Sequence, residues 1–80
     1  MDRELAKIVL CASYRSGQEL SNLVPVLKEF CPPEEYEGIV FTIGSVLHEL
    51  DTEIHQKIFT QHPDLQAEIE QRVQRYGRTF

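Results

Sequence analysis

Prolines cut this 80-residue chain at Cys31-Pro32-Pro33 and again at His62-Pro63, and apolar residues recur at helical spacing between the cuts. A proline inside a helix removes a backbone hydrogen bond and clashes with the preceding turn. It also drives the residue before it away from helical geometry. The same residue type is well suited to the first turn of the helix that follows. Glu34 and Glu35 follow Pro33, and Asp64 follows Pro63, so carboxylates stand where a helix dipole favours them. Both breaks are therefore also helix starts.

Leu5, Ile8, Val9 and Ala12 recur at i, i+3, i+4 and i+7, one face of a helix. Asp2 offers its cap, and Gly17 predicts its end near residue 15. Leu20, Leu23, Val24, Leu27 and Phe30 repeat the pattern around Pro25, which reads as a first-turn residue capped by Ser21 or Asn22, or as a kink. Tyr36, Val40, Ile43, Leu47, Leu50, Ile54 and Ile58 predict a long helix over 33–60. Leu65, Ile69, Val73 and Tyr76 form the expected buried stripe of a last helix ended by Gly77. The expectation is all-α: one domain over residues 1–80, built as a small bundle of about four helices. One stretch competes. Gly38 to Gly44 is β-branched and glycine-bracketed, so strands near 7–13 and 38–44 would give an α/β chain with a short βαβ unit. The helical rhythm runs through Gly44 without losing phase, and small Gly44 and Ser45 then mark an expected close helix crossing.

The segment Leu50–Phe59 is echoed fifteen positions later by Leu65–Gln74, with four identities and two conservative pairs. The shared positions are those a helix needs, apolar residues four apart with an acid before and a base after. The copies differ where chemistry is carried. Asp51 and His55 become Gln66 and Glu70.

Net charge is −5, unevenly spread. Glu29 to Glu70 holds ten acids and one lysine, whereas Gln71 to Phe80 holds three arginines and no acid. An acidic middle repels phosphate, which disfavours nucleic acid as a general partner. No apolar run approaches the roughly 20 residues that span a bilayer, and no signal sequence opens the chain. The expected compartment is cytoplasmic, with no membrane contact. Cys11 and Cys31 lack metal spacing and read as small hydrophobes. Cys11 and Arg15 superficially match a thiolate anion loop, but no glycine lies between them to turn the backbone inward.

On a helix over 33–60, His48, Asp51 and His55 fall together, at i,i+3 and i,i+4. An aspartate between two imidazoles can orient them, raise their pKa or contribute to a metal site. A zincin helix would need a second histidine where Thr52 stands. His62 is separated from that strip by Pro63 and reads as a turn residue capping the last helix. Phe41 and Phe59 share a second face of the same helix and are candidate contact residues. Arg72, Arg75 and Arg78 form a basic tail, read first as salt-bridging the acidic middle. The leading functional expectation is a small acidic protein with no catalysis and no cofactor. It acts by binding another protein, a basic one or a second copy of itself, as regulators, inhibitors and immunity proteins do. The alternatives are a metal or histidine site at His48, Asp51 and His55, and RNA binding through the arginine tail.

Overall fold

A computed structural model describes residues 1–77, which form helices and no strand. Helix α1 spans Arg3–Phe30, α2 spans Pro33–Glu49, α3 spans Gln56–Gln61 and α4 spans Pro63–Tyr76. A π-helical turn, Leu50–His55, joins α2 to α3 with helical backbone on both sides, so 33–61 is one continuous rod. The described fold is thus three rods instead of the expected four. The strands near 7–13 and 38–44 are absent, since both segments lie within helices.

Helix α1 starts where Asp2 caps it, its carboxylate accepting from Leu5 N at 2.9 Å. Gly17 does not stop it. Ala6, Leu10, Ser13, Gly17, Leu20, Val24 and Leu27 recur at alternating spacings of four and three, one seam along 28 residues. That seam needs a small residue where Leu47 and Leu50 of the second rod press closest. A Cβ on Gly17 would lie 3.3 Å from Leu47 Cδ2 and 3.7 Å from Leu50 Cδ1. Pro25 stays inside the helix, on its exposed side, where water can meet the Ser21 carbonyl it leaves without a donor. The expected close crossing at Gly44 and Ser45 is also corrected. Both are exposed, and nothing lies within 4 Å of a Cβ on Gly44.

The β-branched run after Gly38 tolerates helix because Val40 and Ile43 enter the seam with α1, while the Thr42 hydroxyl donates back to Gly38 O at 3.1 Å. After Leu50 the seam changes phase. Gln56 N bonds Asp51 O, an i→i−5 step, and the extra residue turns everything downstream by about 100° around the axis. Consequently His55 and Ile58 are buried beyond the turn. The core proper is Ala6, Leu10, Ile58, Leu65 and Ile69, flanked by Val9, Tyr14, Ile54 and Phe59. It sits at one end of the molecule, where the first half of α1 meets α3 and α4. Arg3 holds α4 there, its Nε 2.9 Å from Asp64 Oδ2 and its Nη2 2.8 Å from Glu68 Oε2.

Two expected core stripes are only half used. Leu5, Ile8 and Ala12 of α1 face outward, as do Leu23 and Phe30, while Val73 and Tyr76 of α4 extend past the last core residue, Ile69. Cys11 and Cys31 are partly buried and form no disulfide. No described helix is long and apolar enough to cross a membrane. The molecule measures 44 × 25 × 15 Å, close to one helix in thickness.

The two glycines predict opposite outcomes. Gly44→Ala, in open space within a helix, should stabilise by roughly 0.5–1 kcal/mol in urea unfolding. Gly17→Leu should cost roughly 1–3 kcal/mol by overpacking the crossing.

Candidate functional site

The π-turn delivers His55 into the space between the rods. The residue is 7 % exposed, and its ring stacks on Tyr14 of α1, with centroids 4.1 Å apart and planes within 5°. The Phe59 ring lies 6.4 Å from that of His55, centroid to centroid, in a tilted arrangement. His55 Nε2 lies 2.8 Å from Ser13 Oγ, and Ser13 Oγ lies 3.1 Å from Leu10 O. These distances fit one relay: the imidazole N–H donates to the hydroxyl, and the hydroxyl donates to the backbone carbonyl. His55 Nδ1 faces Asp51 Oδ1 at 3.8 Å, beyond hydrogen-bond reach, so the carboxylate attracts the ring only when the imidazole is protonated. Burial pushes the His55 pKa below its ordinary value, and the nearby Asp51 carboxylate only partly opposes this. The folded environment therefore favours the neutral imidazole. Burial likewise raises the Tyr14 phenol, helped by the charges of Asp51 and Glu70.

Serine, histidine and aspartate in contact invite comparison with a hydrolytic triad, but the geometry differs. Ser13 is mid-helix and 6 % exposed, so the nearby backbone N–H groups are taken up by the helical ladder. The hydroxyl proton points to Leu10 O. What this arrangement does is join α1 to the π-turn with a satisfied polar bond inside an apolar seam. A cleft of about 230 Å³ opens beside it, lined by Tyr14, Gly17, Leu47 and Leu50.

The sequence-predicted residues separate into different places. Asp51 and His55 stay together, but His48 is exposed on the outer side of α2, in a shallow groove with Phe41 and Ser45. Among the described residues no group of three His, Cys, Asp or Glu side chains converges to hold a metal ion. Phe41 and Phe59 would share a face on an uninterrupted α-helix. The π-turn separates them, leaving Phe41 77 % exposed and turning Phe59 against the core. His62 begins α4 without a side-chain cap bond. Its Nε2 instead meets Met1 O at 2.9 Å. Arg72 pairs within α4 with Glu68 at 3.5 Å, and Arg75 lies over the Tyr76 ring at 5.4 Å. Arg78 lies outside the described residues. Bases of α1 also answer the acids of α4: Arg3 reaches Asp64 and Glu68, and Lys7 reaches Glu68 at 3.8 Å.

Ser13 and Tyr14 escaped the sequence reading. The available signal was the seam spacing, which puts Ser13 one heptad after Ala6 and so at a core position that demands a polar partner. Comparison with protein-family models, curated proteins and solved structures yields no match to this chain.

Ser13→Ala strands the buried Nε2 and should cost roughly 1–3 kcal/mol in chemical unfolding. The pH response follows from the depressed His55 pKa. The unfolded chain binds the proton more readily, so this contribution to stability is full above about 6.5 and shrinks as pH falls through 6.5 toward the folded value. Melting temperature should fall between pH 7.5 and 5.5, and His55→Gln should flatten that slope. Asp64 and Glu53, held below their ordinary values by Arg3 and Lys57, act only at lower pH.

Proposed function

We propose that this chain is a non-catalytic binding protein that captures a basic helical partner along the outer face of α2. The observation that carries the reading is the amount of apolar surface left uncovered. Among the described residues, six hydrophobic side chains are buried, whereas eleven large ones are exposed, among them Phe41 at 77 % and Phe30 at 76 %. A compact chain of this mass would expose about 5000 Å². This one exposes 5859 Å². Its radius of gyration, 14.7 Å, likewise exceeds the about 11.6 Å of a compact 80-residue domain.

The outer face of α2 has features suited to a helix. Thr42 and Ser45 return their hydroxyls to Gly38 O and Phe41 O, both at 3.1 Å, so short residues present little unmet polarity. Val46 adds apolar area beside them, and Glu49 and Glu53 stand along the same groove. Glu34, Glu35 and Glu37 continue the negative charge toward the start of the helix. A partner with a matching apolar stripe and lysines or arginines at its edges would gain contact area and a faster encounter. Neither alternative draws comparable support. The metal reading lacks converging ligands among the described residues, and Arg72 is engaged with Glu68.

Phe41 is the residue to change because its ring contributes little to the fold. Phe41→Glu should leave helicity intact and stability within about 0.5 kcal/mol. It should also abolish capture of a basic protein from the native host in a salt-sensitive pull-down. A captured set unchanged by Phe41→Glu, or composed of acidic proteins, would refute the reading.

A further inference from the structure

Helix α1 carries a second apolar stripe, on the side away from its buried seam. Leu5, Ile8 and Ala12 occupy one end of it, and Leu23, Val26 and Phe30 the other. All six are exposed, from 45 % for Leu23 to 76 % for Phe30 among the large ones. Between the two apolar ends the same face carries Arg15 and Glu19, both exposed. Arg15 makes a long 3.7 Å contact to Cys11 Sγ, and the ion pairs of the described residues do not join it to Glu19.

The order of these residues is self-complementary about a midpoint next to Gly17. Counted outward from it, Arg15 mirrors Glu19, Ala12 mirrors Leu23, Ile8 mirrors Val26 and Leu5 mirrors Phe30. A twofold axis through that midpoint lays two copies of α1 antiparallel. Each Arg15 then meets the Glu19 of the other copy, and small Ala12 meets larger Leu23. Apolar residues meet apolar residues at both ends. A twofold interface demands this property, because one patch must complement itself.

We infer that a second copy of this chain covers the outer face of α1, as an antiparallel twofold dimer with reciprocal Arg15–Glu19 pairs at its centre. The inference rests on the binding reading, of which it names one partner. Two quantities on this molecule support it. The stripe runs about 38 Å at the rise of an α-helix, nearly the full length of the molecule. Its five large apolar side chains are each 45–76 % exposed, a strip that the rest of the described fold leaves uncovered. The arrangement also uses a face distinct from α2, so the dimer would offer two acidic α2 grooves to other partners.

Sedimentation of the purified full chain at low salt tests the assignment, with circular dichroism confirming unchanged helicity in each variant. The wild type should sediment as twice 9.3 kDa at micromolar to millimolar concentration. Arg15→Glu and Glu19→Arg should each raise the dimer dissociation constant at least roughly tenfold, because two like-charge contacts replace two attractive ones. The double variant Arg15→Glu/Glu19→Arg should recover wild-type affinity. A chain monomeric throughout the range overturns the inference. So does a dimer indifferent to both single changes, or a double variant no better than the singles. Each of these outcomes leaves the Phe41→Glu capture experiment, on the other face, to decide the broader reading separately.

Discussion

One surplus residue in a helical turn organises this molecule. Upstream of Leu50 the second rod needs to face only the later half of α1, and a seam of alternating fours and threes does that. Downstream it must serve α1 and α4 together, which lie in a different direction. The i→i−5 bond from Gln56 to Asp51 supplies the rotation without interrupting the rod. The same rotation brings His55 under Tyr14 and against Ser13, away from His48, beside which helical spacing alone places it. A polar bond inside the seam then fixes the turn, since sliding either rod would strand a buried imidazole. Gly17 completes the arrangement one turn along α1, where the backbone approaches Leu47 most closely.

The consequence is a thin object. Three rods share one layer, whereas a stable domain ordinarily packs two layers around its core. The five-residue core cluster gathers at one end, and the hairpin of α1 with α2 extends from it. Apolar residues on the far side of α1 and on α2 have nothing among the described residues to cover them. For a helical chain this short, association is a natural way to bury such surface, and the two faces differ in the partner they suit. That of α2 is acidic and groove-like. That of α1 is electrically balanced and repeats itself in reverse.

The breaks at Pro32-Pro33 and Pro63, the Asp2 cap, the Gly77 terminus and the helical class were all legible in the chain, because each depends on local backbone geometry. The acidic middle and basic end were equally plain. Gly17 and Gly44 were read in the wrong roles. A glycine looks like a helix end in isolation, and only a partner pressing on it reveals a crossing. Of His48, Asp51 and His55, only the i,i+4 pair stays adjacent across the π-turn, and His55 finds its hydrogen-bond partner, Ser13, on a helix 42 positions away. The separation of Phe41 from Phe59 depended wholly on that turn.

By itself, then, the amino-acid order determined where helices begin and end and which residues share a face, since propensity, capping and proline sterics act over a few residues. It also wrote two apolar stripes onto α1, one of them self-complementary in reverse. Which stripe became core was decided only in the folded chain. Leu5, Ile8 and Ala12 are as apolar as Ala6, Leu10 and Ser13, and more so at Ser13. Yet the second set is buried, because Ser13 finds His55 and Gly17 admits Leu47. Close approach and hydrogen-bond partnership are properties of two helices together, and no single stretch of sequence contains them.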